Sequence, residues 1–122
     1  MTVAHNGIAA LCKGAYRVTW SGLGVASSAD SGAGVIVPGR YDSIQIQVLG
    51  TFAGATITIE GSNDGGTTWA TLNDSRGEGN AMTFTAADLR KLNETPNQIR
   101  PTISAGSASN LSVVAILRAS KP

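Results

Sequence analysis

Residues 56–72 read TITIEGSNDGGTTWATL, and this stretch decides the fold because it predicts a β-hairpin. Threonine and isoleucine alternate at its start, which places Ile57 and Ile59 on one face of a strand. We expect this strand to span Ala55–Glu60 and to pair with a return strand over Trp69–Leu72. The polar, glycine-rich residues between the two strands predict the turn.

The turn reads SNDGGTTW at residues 62–69 and fits the Asp-box pattern Ser-x-Asp-x-Gly-x-Thr-Trp at every fixed position. Asp64 is expected to accept backbone N–H groups within the turn, as Asx residues do. Gly65 and Gly66 supply positive φ angles that other residues reach only at a cost. Trp69 is expected to lay its ring over the turn and to donate its indole N–H. We assign a structural role in this turn to Ser62, Asp64, Gly65, Gly66 and Trp69.

A single Asp-box does not predict a glycosidase, although the motif is best known from sialidases. A sialidase-type propeller repeats its four-stranded blade about six times, which needs several hundred residues. This chain has 122 residues, one Asp-box and no internal repeat. It also lacks a P-loop, a dinucleotide fingerprint and carboxylates clustered as in glycosidases. We therefore predict a protein that is not an enzyme.

The ligand types that a metal or cofactor site requires are scarce in this chain. His5 is the only histidine and Cys12 the only cysteine, so no disulfide, zinc site or His-based catalytic set is expected within it. A calcium site near Asp64 and Asp74 lacks the dense spacing of oxygen ligands in calcium loops. The sequence predicts no metal and no cofactor.

The composition predicts one soluble domain with a nearly neutral surface. Hydrophobic residues make up 42% of the chain, but charged residues make up 14%, below the usual quarter or so. The net charge of +1 provides no field that would attract nucleic acid or an acidic membrane. No apolar run approaches the roughly 20 residues of a membrane span. We expect neither nucleic acid nor a membrane as a partner.

Alternating apolar and polar residues predict about seven or eight short strands. In Tyr41–Leu49 the apolar residues alternate with Gln45 and Gln47, which form a polar, uncharged face that can meet water or a partner chain. Leu111–Arg118 is apolar on both faces at its centre, which predicts a central or partly covered strand. Pro101 indicates an edge or a bulge in its strand. The other strands are predicted over Gly14–Trp20, Val35–Val37, Ala81–Phe84 and Gln98–Ser104.

Two segments are predicted to have other structures. Residues 85–88, Thr-Ala-Ala-Asp, have the features of a helix start, with a threonine N-cap and an acidic residue in the first turn. Leu89 and Leu92 would share one face of that helix, so we expect a short helix near residues 85–93. Ser21–Gly34 is rich in Gly, Ser and Ala and is expected to form a long loop.

These elements predict an all-β fold, a β-sandwich of jelly-roll or Greek-key type with one short helix. Residues 1–13 are aperiodic and are predicted to form an N-terminal arm, and residues 14–122 a single β-sandwich domain. The residues we expect to contact a partner are His5 and Ile8 in the arm and Gln45 and Gln47 in the domain.

The segment Thr56–Leu72 resembles one that recurs in small virion proteins of tailed bacteriophages, especially head decoration (cement) proteins. Thr85–Leu89 and Leu111–Arg118 lie where such chains often carry a short helix and a last strand, so the likeness covers about half of the chain. The resemblance implies a protein without catalytic residues, made in the host cytoplasm and bound to the capsid exterior. It also implies a dimer or trimer that clamps adjacent major capsid proteins.

Two other functions stay open at this point. In a carbohydrate-binding module, the exposed rings among Tyr16, Trp20, Tyr41 and Trp69 would form a platform on which sugars stack. A minor tail or neck component of the virion would differ from a decoration protein in location and copy number.

Overall fold

The computed structural model describes residues 2–3, 5–12, 15–24, 31–37, 43–76, 79–104, 106 and 110–119. All regular secondary structure in these residues is β-strand, in two sheets. The strands are β1 (Thr2–Val3), β2 (His5–Cys12), β3 (Ala15–Leu23), β4 (Ser31–Gly32), β5 (Val35–Ile36), β6 (Ser43–Leu49), β7 (Thr56–Ser62), β8 (Ala70–Thr71), β9 (Thr83–Phe84), β10 (Asp88–Lys91), β11 (Gln98–Ser104) and β12 (Leu111–Arg118).

The five-stranded sheet is antiparallel and has the order β10-β6-β12-β3-β2. Its central strand is β12, which pairs with β3 on one side and β6 on the other. Val113, Ala115 and Leu117 are buried on the inner face of β12. The two-sided apolar sequence of this strand is thus explained by its central position.

The seven-stranded sheet has the order β1-β4-β11-β7-β8, with β5 also paired to β11 and β9 to β7. Its longest ladder joins β7 and β11, from Gln98 opposite Ser62 to Ser104 opposite Thr56. Every pair in this sheet is antiparallel except β1 with β4.

One hydrophobic core lies between the inner faces of the two sheets. Trp20 and Ile46 of the five-stranded sheet belong to the same buried cluster as Ile57 and Ile103 of the seven-stranded sheet. Full burial of such a side chain stabilises a fold by about 1.5–3 kcal/mol. This arrangement is all-β and consistent with a β-sandwich.

The short helix predicted near residues 85–93 is wrong, because Asp88–Lys91 forms the edge strand β10. This strand pairs with β6, so that Leu89 lies opposite Gln47. Leu89 is exposed whereas Leu92 is buried, so the two leucines do not share a face.

The helix is absent for a local and a tertiary reason. Asp88 accepts the N–H of Leu89 over 2.8 Å and the Nε–H of Arg90 over 3.0 Å, so its carboxylate does not cap a helical turn. A helix of two turns is marginal by itself. Pairing with β6 satisfies backbone groups of both strands, which favours the extended conformation.

Pro101 lies in β11, opposite an interruption of the neighbouring strand. On that side β11 pairs with Val35 of β5 and with Ser31 of β4, and residues 32–34 lie between these two pairings. Since proline has no N–H to donate, the ladder can break here without loss. β11 is an interior strand and not the edge strand that Pro101 indicates. The break between β4 and β5 beside it accommodates the proline instead. Trp20 also donates its indole N–H to the Ala33 carbonyl over 2.9 Å.

Parts of the predicted loop and of the predicted arm form strands. The loop expected over Ser21–Gly34 loses its first residues to β3, which continues to Leu23, and it contains β4. Within residues 1–13, β2 pairs with β3 of the five-stranded sheet and β1 pairs with β4 of the other sheet. The division into arm and domain stays a prediction.

We predict that Gly32→Ala destabilises the fold by overpacking. A Cβ at Gly32 would lie 2.5 Å from Pro101 Cδ and 2.7 Å from Trp20 Cδ1, and both rings are buried. Overpacking of this kind costs about 1–3 kcal/mol, which urea denaturation at constant pH will measure. Ser104→Ala, at an exposed position, serves as the control. Equal stability of both variants would contradict this account of the contact.

Candidate interaction surfaces

Two side chains hold the turn between β7 and β8. The Ser62 hydroxyl donates to Asp64 Oδ1 over 2.7 Å. Its oxygen accepts the N–H groups of Asp64 and Gly66, over 3.3 and 3.0 Å. Asp64 Oδ1 accepts the N–H groups of Thr67 and Thr68, over 3.1 and 2.9 Å. The turn is therefore closed by its own hydrogen bonds.

The backbone and the tryptophan of this turn complete it. Gly65 and Gly66 have φ angles of 78° and 88°, which L side chains rarely adopt. Trp69 donates its indole N–H to the Gly66 carbonyl over 3.0 Å. The Arg100 guanidinium lies 4.3 Å from the centroid of the Trp69 ring and also bonds Glu60 over 2.9 Å. One face and the N–H of this tryptophan are thus occupied.

The hydrogen bonds of the turn favour the ionised form of Asp64. The N–H of Thr68, followed by the hydroxyl of Ser62, lowers the pKa of Asp64 to about 2. In the unfolded chain this carboxyl group titrates near its ordinary value of about 3.9. Because the folded pKa is the lower one, the charged carboxylate stabilises the fold fully above about pH 4, and this stabilisation is lost as the pH falls towards 2.

We predict that Asp64→Asn lowers the melting temperature at pH 7 and has a smaller effect near pH 2, where the wild-type carboxylate is itself becoming protonated. Thermal unfolding of both proteins, followed by circular dichroism at the two pH values, measures the difference. Thr71→Ala, at an exposed position in the return strand, is the control. An equal loss at both pH values would mean that the charge of Asp64 does not contribute.

The outer face of the seven-stranded sheet is polar, and its groups bond one another. Arg100 and Glu60 form an ion pair at 2.9 Å, and the Thr102 hydroxyl donates to the Thr58 carbonyl over 3.3 Å. Ile36, exposed opposite Gln98, is an isolated apolar residue of the kind common on protein surfaces. This face is suited to contact with water.

The outer face of the five-stranded sheet, which we call the open face, has exposed apolar side chains and glutamines. Leu49 lies two residues along β6 from Gln47, and Leu89 and Val114 lie on either side of Gln47 in the neighbouring strands. The exposed fractions are 41% for Leu49 and 57% for Leu89. Exposed apolar side chains grouped on one sheet face favour an interaction surface over a face that only contacts water. The open face is defined by Thr19, Gln45, Gln47, Leu49, Leu89, Val114 and Ile116.

One end of the open face is cationic. Lys91 lies opposite Gln45, Arg17 opposite Ile116, and Arg118 at the end of β12. All three of these cationic side chains are exposed, and among the described residues none of them forms an ion pair. We call Arg17, Lys91 and Arg118 the cationic end.

Two of the four predicted contact residues lie together, and a third lies apart from them. Gln45 and Gln47 lie side by side on the open face. His5 is opposite Trp20 in the register of β2 and β3, and its ring contacts the ring of Trp20 edge-on with centroids 6.1 Å apart. Ile8 is opposite Val18 in the same register, and its side chain lies outside the described structure.

Sequence reasoning missed four apolar members of the open face. The two-sided apolar sequence of β12 was a usable signal for Val114 and Ile116, since every second residue of a central strand faces outward. Leu49 ends the predicted strand on the same side as the glutamines, by the same alternation. Leu89 was assigned to a helix, which hid its place beside Gln47.

The aromatic residues provide no sugar platform in the described structure. Trp20 is 1% exposed. Trp69 is stacked with Arg100, and Tyr16 is partly buried against the core. Tyr41, the other candidate, lies outside the described residues.

The carboxylates beside β10 are acceptors of hydrogen bonds. Asp74 is buried, and the side chain of Arg76 lowers its pKa below the ordinary value. The N–H of Leu89, followed by Arg90, lowers the pKa of Asp88. These groups line a shallow cavity of about 460 Å³. A general acid that works near neutral pH needs a raised pKa, and both shifts are in the opposite direction.

The described residues contain no group of three or more His, Cys, Asp or Glu side chains placed to hold a metal ion. They also contain no helix with the length and apolar character that crossing a membrane requires.

The fold is similar to that of a protein of prophage origin. The crystal structure of the SPBc2 prophage-derived protein YomS matches 89% of this chain and 98% of its own, with a TM-score of 0.57 and 10% sequence identity. This likeness shows a common fold.

Peruvianin-I, a cysteine peptidase from Thevetia peruviana latex, matches 90% of this chain and 53% of its own at 15% identity. Its TM-score of 0.46 is too low for the likeness to bear on fold or function. No protein-family model matches the sequence, and no curated protein sequence matches it.

Proposed function

We propose that this chain is a structural virion protein that binds the outer surface of a phage capsid and clamps adjacent major capsid proteins. In this proposal it is a β-sandwich of jelly-roll or Greek-key type, made in the host cytoplasm, that acts on the capsid exterior as a dimer or trimer. It is not an enzyme and binds neither nucleic acid nor membrane. Many copies, each favouring the assembled shell, would stabilise the capsid by mass action.

The contrast between the two outer faces carries this proposal. On the seven-stranded sheet the charged side chains of Glu60 and Arg100 bond each other. On the open face, Leu49 and Leu89 are exposed around Gln47. A sheet face with apolar side chains and amide groups suits contact with another protein surface.

The shared fold and the carboxylate chemistry also support the proposal. YomS is prophage-derived, so the same fold occurs in a protein of phage origin. Asp64, Asp74 and Asp88 all have lowered pKa values, which suits the acceptance of hydrogen bonds better than acid catalysis.

Of the two alternatives, a minor tail or neck component uses the same open face and differs in copy number. A carbohydrate-binding module is disfavoured, because Trp20 is buried and Trp69 is stacked on Arg100. Counting the chain against the major capsid protein in purified particles separates the alternatives. A count comparable to that of the capsid protein supports decoration, a few copies support the tail or neck, and absence from the particle contradicts a virion role.

We predict that Leu89→Asp on the open face weakens capsid binding at least about tenfold, because it puts a charge in the apolar part of the contact. Co-sedimentation with particles from which the chain has been removed measures the affinity. Thr58→Asp places the same charge on the other sheet and should bind like the wild type. Thermal melts of both variants establish that they fold. Equal binding by the two variants would exclude the open face as the contact.

A further inference from the structure

We infer that the partner presents an acidic surface to the cationic end of the open face and an apolar surface to its leucine end. This inference rests on the proposed function and adds the chemistry of the partner. It also assigns an orientation, because the two ends of the face differ.

The three cations lie at one end of the open face. Arg17, Lys91 and Arg118 come from β3, β10 and β12, and the sheet register brings them to the same end of the face. Leu49 and Leu89 lie towards the opposite end. The face therefore has a charge gradient along its strands.

These cations have no carboxylate partner within the described structure. The five strands of this sheet contain one acidic residue, Asp88, and its carboxylate bonds Arg90 over 3.0 Å. By contrast, Arg100 on the other sheet has Glu60, and Arg76 has Asp74 over 2.7 Å. Among the described residues, the exposed cations that lack an ion-pair partner lie on the same face as the exposed leucines.

A second copy of the chain does not complement this face. Two copies packed face to face would set the cationic end against itself or against the leucines. In neither arrangement does a carboxylate of the described residues meet the cations, because Asp88, the one acidic residue of these five strands, is already bonded to Arg90. Like charges held together cost free energy, so this face is not self-complementary.

The glutamines and leucines of the open face favour a protein as the partner over a membrane or a nucleic acid. Gln45 and Gln47 lie in the middle of the face, and burying their amide groups in hydrocarbon without hydrogen bonds is costly. A protein surface supplies the hydrogen-bonding groups that they need. Nucleic acid offers phosphates to the cations but little apolar surface to Leu49 and Leu89.

The test measures the salt dependence of binding to particles from which the chain has been removed. The variant Arg17→Gln/Lys91→Gln/Arg118→Gln neutralises the cationic end. The control, Thr71→Glu/Thr95→Glu/Ser104→Glu, makes the same change in net charge at exposed positions outside the open face. Thermal melts of both variants come first, so that a change in affinity is not a loss of folding.

We expect the wild type to lose about tenfold in affinity between about 0.05 and 0.5 M NaCl, because salt screens the contact. The triple glutamine variant should bind at least about tenfold more weakly at low salt and should be nearly insensitive to salt. The glutamate control should keep the salt dependence of the wild type.

Two results would overturn the inference while leaving the proposed function intact. One is wild-type binding that is lost in Leu89→Asp but does not depend on salt. The other is a triple glutamine variant that binds like the wild type. If the wild type fails to bind particles at any salt concentration, the proposed function itself is wrong.

Two further binding experiments distinguish an acidic protein surface from other sources of negative charge. Wild-type protein is mixed with phosphatidylserine-containing vesicles and, separately, with duplex DNA. Binding to either that matches the affinity for particles and is lost in the triple glutamine variant would replace the acidic protein surface as the partner. Lack of binding to both, together with salt-dependent binding to particles, supports the inference.

Discussion

The position of β12 between β6 and β3 is the constraint on which the rest of the molecule depends. Its inner residues are buried in the core, and its ladders set the register of both neighbours. Because a shift by one residue would turn every side chain to the other face, the buried set of β12 also determines what faces outward. Gln47 beside Val114 and Arg17 beside Ile116 follow from this register. The same strand thus fixes both the core and the open face.

The two sheets differ in whether their outward charged side chains form ion pairs in the described structure. On the seven-stranded sheet Arg100 bonds Glu60 and lies over Trp69, so the charge is compensated and the tryptophan is held in place. This pair is partly buried, and it leaves few charged groups free for another molecule. On the five-stranded sheet the cations Arg17, Lys91 and Arg118 have no such partners in the described structure. The asymmetry between the faces therefore concerns what each can bind more than how each stabilises the fold.

The sequence predicts the elements whose signal is local and misses those that depend on distant strands. Alternation in Gln98–Ser104 and Leu111–Arg118 predicts strands with the bounds that the structure has, and the all-β class is confirmed. The helix near residues 85–93 is wrong because its capping signal competes with pairing to the edge of β6, which no local pattern reveals. The open face combines residues from β3, β6, β10 and β12. Its composition becomes visible once the register is known, so sequence reasoning found its glutamines but neither its leucines nor its cationic end.

The fold alone does not select a function, since one β-sandwich architecture serves many. The choice among functions is narrowed by two features together, the low charge content of the chain and the uneven placement of its charges. A surface that binds through apolar contact alone gains affinity but little orientation, whereas charge placed at one end sets the direction of docking. The role that we propose, binding in one orientation at every equivalent position of a shell, needs both properties. The leucine end and the cationic end of the open face provide them, because β12 holds their strands in register.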